Sequence, residues 1–191
     1  LRLKGVRVQQ KPFLDNVISN KQYLLIRNGL KRDKDWFWYF IIRYLACTGA
    51  RVSELRQFQV KDVLQGHMDI ISKGQKLRRV WIPAALRKET LTWRKNNSGS
   101  DLLFPGKGGN AITARGISMG LKRVALRYGI DKNVVYPHSL RHLFAKNFIQ
   151  RNPDIAFLAD LMGHESIETT RIYLRRTSRE QRRAVDKTID W

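Results

Sequence analysis

The sequence is short of acid. Its 191 residues hold 16 Asp and Glu against 37 Lys and Arg, a formal net charge of +21. That excess is larger than solubility requires and points to a polyanionic partner. Nucleic acid is favoured over a membrane surface, because the cations are spread along the chain rather than gathered on one amphipathic helix. The same shortage weighs against metal-dependent phosphodiester cleavage, which needs clustered carboxylates to hold magnesium. Cysteine is nearly absent. The single thiol, Cys47, lies in an apolar run and is assigned to the core, and it leaves no disulfide framework or thiolate zinc site. No apolar run is long enough to span a bilayer and no signal-peptide pattern is present, which favours a cytoplasmic protein with no membrane partner. No phosphate-cradling loop occurs: Gly106-Lys107-Gly108-Gly109 lacks the Gly-Lys-Ser/Thr ending.

What is there suits one domain with a short tail. Hydrophobic residues make up 42% of the chain, enough for a sizeable core. Residues 1–12 are basic and aperiodic and read as a linker or arm. A helix is expected after Ser19, ended by Gly29. Asp33 or Asp35 then opens the run Trp36 to Leu45, apolar on nearly every side and expected as the central buried helix. Gly49 breaks it, and Val52 and Leu55 restart a helix with Arg51 at the break. Asp62 to Leu64, His67 to Ser72 and Arg78 to Ile82 have strand composition, joined by a cationic turn at Lys73 to Lys76. The fold class expected is therefore α+β, mainly α-helical with a small three-stranded antiparallel sheet. Ala84 to Lys95 returns to helix. Thr113 to Tyr128 is amphipathic, with Ile117, Leu121, Val124 and Tyr128 on one stripe. Ser178 opens a last helix whose stripe is Ala184, Val185, Thr188 and Ile189.

The stretch from Pro137 to Tyr173 carries the densest chemistry. Leu140, Leu143, Phe144 and Phe148 form a helical stripe. Asp154 after Pro153 starts a second helix, and Gly163 ends it as a C-terminal glycine should. His164 thus sits just past a helix end, and Ser166 can cap a third short helix carrying Tyr173. His138, Arg141, His164 and Tyr173 are presented at three helix junctions. Phosphoryl transfer without a metal needs fixed donors for the non-bridging oxygens, and Arg suits this through its planar, permanently charged fork. Arg51 and Arg141 are the candidates. Tyr173 offers a phenol nucleophile, and a hairpin lysine, Lys73 or its neighbour Lys76, could protonate a leaving alkoxide.

Four motifs in this order are Thr48-Gly49-Ala50-Arg51-Val52-Ser53-Glu54-Leu55, Lys73-Gly74-Gln75-Lys76, His138-Ser139-Leu140-Arg141-His142, and Leu161-Met162-Gly163-His164 followed nine residues later by Tyr173. Together they resemble the catalytic domain of the tyrosine recombinase (phage integrase) family. The resemblance implies a DNA breaking-rejoining fold over residues 13–177, a tail helix over 178–191, and a linker from an absent N-terminal DNA-binding domain over 1–12. It implies a site-specific recombinase that works through a covalent 3′-phosphotyrosine intermediate without metal, ATP or other cofactor. Arg51 and Arg141 would grip the scissile phosphate and His164 would hydrogen-bond it. Lys73 would be the general acid, His138 would aid proton transfer and Tyr173 would attack. The implied partners are double-stranded DNA, three further copies in a homotetramer on paired sites, and accessory DNA-bending proteins, at the nucleoid of a bacterium or phage-infected cell. Ala50, Glu165, Arg175 and Arg176 depart from the usual pattern without touching these six residues. Two other readings remain: a type IB topoisomerase-like strand relaxer, and a catalytically silent DNA-binding relative.

Overall fold

Trp36–Thr48 is the helix about which the others are laid. The computed structural model describes residues 16–71, 77–95, 99–164 and 166–174, with Val185 and Asp186. Before that central helix comes α1, Asn20–Arg32, opened by a reciprocal cap in which Ser19 and Gln22 satisfy each other's backbone N–H groups. The central helix is α2. Its Tyr39, Phe40, Ile41, Ile42, Tyr44 and Leu45 are all buried. Their rings tie in the surrounding segments: Tyr44 meets Phe58 and Phe104 edge-on, and Phe40 stacks on Trp93 at 4.6 Å between centroids. Such pairs contribute about 0.5–1.5 kcal/mol each beyond the area they bury.

The chain then makes two short helices, α3 at Val52–Leu55 and α4 at Val60–Gln65, and an antiparallel ribbon of β1, His67–Ile71, and β2, Leu77–Trp81. The ribbon register runs from His67 opposite Trp81 to Ile71 opposite Leu77. The helices that follow are α5 at Ala84–Lys95, α6 at Ala114–Arg127, α7 at Pro137–Arg151, α8 at Ile155–Met162 and α9 at Ile167–Arg171, with a 3₁₀ turn at Ile172–Leu174. Helix α2 packs against α1, α5, α6 and α7. Close approach at α6 depends on Gly120, where a Cβ would lie 1.8 Å from Trp38 Cη2. Ser139 fixes the chain before α1, accepting from Ile18 N–H at 2.8 Å and donating to Val134 O at 2.6 Å.

Two expectations are corrected. The sheet among the described residues has two strands, not three. Asp62-Val63-Leu64 forms part of α4, because Asp62 accepts the Gln59 N–H at 2.7 Å and Gly66 closes the turn in the left-handed region at φ +84°. The only other strand-like pairing among the described residues is two isolated bridges, Gln59 with Leu102 and Pro105 with Ala111. Gly29 does not end α1; the helix runs through it to Arg32, and the missing side chain makes room for the Tyr128 ring, 2.4 Å from where its Cβ would be. Cys47 is half-buried, its thiol 4.0 Å from the Tyr23 hydroxyl. The cationic turn at 72–76, the segment 1–12 and all of the expected tail helix except Val185 and Asp186 lie outside the described residues. Among the described residues no helix is long and apolar enough to cross a membrane.

Candidate active site

The candidate residues meet where four helix ends converge. Helix α2 stops at Gly49, which takes φ +64° and leaves room for Phe144, whose ring would lie 2.5 Å from a Cβ there. Two residues on, Arg51 precedes α3 in extended backbone. Glu54 holds it twice, accepting the Arg51 N–H at 2.7 Å and Nη1 at 2.9 Å. Arg51 is 43% exposed in its side chain, so the guanidinium remains open to a ligand.

Helix α7 begins with Pro137, whose missing N–H costs nothing in the first turn. That start sets His138, Arg141 and His142 within its first turns. Arg141 is almost fully buried, and its guanidinium donates to the carbonyls of Gly49 and Met162. Helix α8 is capped by Asp154, which accepts from Phe157 N–H, and closed by Gly163 at φ +60°. The turn directs His164, whose N–H bonds Ala159 O at 3.0 Å and whose Nδ1 lies 2.7 Å from the hydroxyl of buried Thr170. Ser166 caps α9, and the following 3₁₀ turn carries Tyr173, which is buried. Its ring lies 5.3 Å from that of His142, which in turn meets His138 edge-on at 4.4 Å.

Three arginines share one helix end. Arg78, from β2, donates to Leu161 O at 2.8 Å; Arg141 donates to Met162 O; Arg51 donates to Gly163 O at 2.8 Å. Cations at the C-terminus of α8 satisfy carbonyls that lack helical partners and oppose the negative end of the helix dipole. The concentration of positive charge then acts on every titratable neighbour. Burial and the adjacent Arg51 and Arg78 pull Arg141 down to about 10. Burial, then Arg141 and Arg51, lower His138. Burial and the same cations lower His164 to about 4, and burial, then His138 and Arg141, lower His142 to about 4. All three imidazoles are neutral at neutral pH. Burial pushes the Tyr173 phenol up to about 12, with Arg141 opposing. Burial would raise the Glu54 carboxyl, but Arg78 and the bonds from Arg51 take it below its ordinary range.

Five of the six expected residues, Arg51, His138, Arg141, His164 and Tyr173, thus come together. Lys73, with its alternative Lys76, lies outside the described residues. Chemically, the cluster sets two guanidiniums and an imidazole as donors for an anion, beside a phenol with neutral imidazoles close by. Sequence reasoning assigned no role to Glu54, Thr170 or Arg78. For Arg78 a signal existed: along β2, buried and exposed residues alternate, and Arg78 shares the inward parity of Val80.

The model of the phage integrase family matches residues 16–180. Among proteins of known role, the chain is 34% identical over 130 residues to the tyrosine recombinase XerC of Xanthomonas campestris pv. campestris, covering 66% of this chain and 40% of that one. It is 33% identical over 143 residues to the XerD recombinase of Yersinia pestis, covering 70% of this chain and 48% of that one. The chain therefore spans less than half the length of these relatives. Among solved structures, the XerA recombinase superposes with a TM-score of 0.76 at 24% identity, over 92% of this chain and 64% of that one. The XerH recombinase bound to its difH substrate before cleavage superposes with a TM-score of 0.69 at 26% identity, over 90% of this chain and 54% of that one.

Proposed function

The chain belongs to the phage integrase family, and from that premise we propose that it is the catalytic part of a site-specific recombinase that cuts and rejoins double-stranded DNA. The observation that carries the reading is the convergence of Arg51, Arg141 and His164 on the helix ends beside Tyr173. In this reading the Tyr173 oxygen attacks the scissile phosphorus and the bond to the 5′ oxygen breaks, leaving DNA joined to the protein through a 3′-phosphotyrosine. Arg51 and Arg141 face the non-bridging oxygens, where charge builds in the transition state. A pre-placed donor at such a position is worth about 10²–10³-fold in rate. His164 adds a third donor. His138, neutral and near the phenol by way of His142, accepts the tyrosine proton directly or through water. Lys73 protonates the departing 5′ oxygen. Rejoining reverses these steps with the hydroxyl of a partner strand, so no external energy source enters and neither metal nor cofactor takes part.

The charge of +21 supports DNA as the partner. XerH, a relative by structure, is seen on its difH DNA. A homotetramer on paired sites, accessory DNA-bending proteins and a place at the bacterial nucleoid belong to the same proposal.

The test is capture. Duplexes of randomised sequence, nicked close to every candidate cleavage point, lose a short fragment after attack and so trap the protein on DNA. Sequencing the trapped strands gives the site. Tyr173→Phe removes one oxygen and keeps the ring packing; it should bind DNA and form no adduct. An adduct with the Phe variant would take the nucleophile away from Tyr173. Relaxation of supercoils by a single protomer, with no pairing of sites, would favour a topoisomerase-like activity instead.

A further inference from the structure

Arg78 is an oddity of the ribbon. It lies on β2 with its side chain 7% exposed, facing inward beside Val80. A buried guanidinium is costly unless its donors are met. Here they are met on two sides. Nη1 pairs with Oε1 of Glu54, itself buried, while Nε and Nη2 donate to Leu161 O at 3.3 and 2.8 Å. The same Glu54 oxygen takes Arg51 Nη1. The turn after α8 also rests on the Arg78 stem: a Cβ at Gly163 would lie 2.3 Å from Arg78 Cδ.

We propose that Arg78 is a positioning residue for the phosphate site, a role that rests on the recombinase reading above. Through Glu54 it sets the direction of the Arg51 guanidinium, and through Leu161 O it holds the turn that presents His164. The geometry explains why a fork is needed. One planar group reaches a carboxylate and a carbonyl at the same time, whereas an ammonium serves as a single point of charge. Without the fork, Glu54 keeps Arg51 as its one cationic partner, and the pair can rotate toward solvent. Arg51 then loses its aim, and misplacement by about 1 Å is enough to cost ~10²-fold in such chemistry.

The experiment uses the DNA site recovered by capture and compares wild type, Arg51→Ala and Arg78→Lys on two substrates. One has the ordinary scissile phosphate. The other carries a methylphosphonate there, which has one fewer negative charge for Arg51 to face. Arg78→Lys should form adduct ~10–10²-fold more slowly on the ordinary substrate, with DNA affinity held. On the methylphosphonate its deficit should shrink, as that of Arg51→Ala should. Wild-type speed on the ordinary substrate overturns the proposal. So does an equal deficit on both substrates, which would mark a general weakening of the fold. A second measurement needs no DNA: side-chain nitrogen NMR of the free protein. Guanidinium rotation of Arg51 should be slow in the wild type and faster in Arg78→Lys; unchanged rotation overturns the proposal even if no DNA adduct is ever found. Absence of wild-type adduct with freed Arg51 rotation would count against the recombinase reading and for the coupling. Should Arg78→Lys fail to fold, Gly163→Ala, which drives a methyl onto the Arg78 stem, gives both readouts.

Discussion

His142 should make the protein sensitive to mild acid, and replacing it with Phe should remove a defined share of that sensitivity. The imidazole is 5% exposed and its Nδ1 has no hydrogen-bond partner. It faces His138, Arg141 and the Tyr173 ring. Burial first, then His138 and Arg141, lower it from 6.5 to about 4. A depressed histidine means that the unfolded chain binds the proton more readily than the folded one. Stability is therefore full above the unfolded value near 6.5 and falls as pH drops toward 4. At about pH 5, proton binding favours the unfolded chain by a factor of roughly thirty, about 2 kcal/mol relative to pH 7.5. In a chain of this size that lowers the melting temperature by about 4–8 °C. Phe preserves a ring between His138 and Tyr173 but cannot take a proton. Urea unfolding at about pH 7.5 and pH 5 should show wild type losing ~2 kcal/mol more than His142→Phe. Packing differences shift both Phe values together and cancel in the comparison. His164, depressed by burial and the arginines, titrates in both proteins and cancels as well. Equal losses in the two proteins would refute the reasoning.

The general acid can be assigned chemically. Lys73→Ala should cleave ordinary DNA at least ~10²-fold more slowly, yet cleave a strand with sulfur at the 5′ bridging position at nearly the wild-type rate, because a thiolate leaves without a proton. The reverse pattern, with rescue of Lys76→Ala alone, would move the role to Lys76. In the core, Gly120→Ala places a methyl 1.8 Å from Trp38 Cη2 and should destabilise the protein by about 1–3 kcal/mol in urea unfolding. An unchanged midpoint would show that α2 and α6 can separate at no cost.

Local signals in the sequence located most of the elements. Ser19, Thr113, Asp154 and Ser166 each open the helix expected of them, with the side chain accepting a backbone N–H. Gly49 and Gly163 each close one in the left-handed region. Of the run Trp36 to Leu45, Tyr39 to Ile42, Tyr44 and Leu45 are buried as its composition demands, while Trp36, Phe37, Trp38 and Arg43 are half-buried. Where reading failed, the deciding contact was distant or competed locally. Gly29 reads as a stop, yet tolerates helix because Tyr128, 99 residues on, fills the space it leaves. Asp62-Val63-Leu64 has strand-like residues, but the Asp62 side chain satisfies the Gln59 N–H and tips the segment to helix. In the site, motif order gathered Arg51, His138, Arg141, His164 and Tyr173. The Arg78 link was hidden because its partners, Glu54 and Leu161, lie 24 and 83 residues away.

The apolar contacts divide in a way that bears on how Tyr173 would move. Leu140 and Leu143 of α7 belong to the main core, whereas Ala145 and Ile149, further along the same helix, join Leu158, Met162 and Tyr173 in a separate, smaller cluster. Segments that share few buried contacts with the main core open at lower free energy than the whole molecule. Helix α8 and the turn that carries Tyr173 thus pack on α7 through a cluster of their own, clasped at the α8 end by three arginines. Opening of that cluster is expected to be sub-global, releasing Tyr173 while α2 and the helices around it keep their packing. Amide exchange in α8 should then be faster than in α2, and equal protection of the two helices would refute the division.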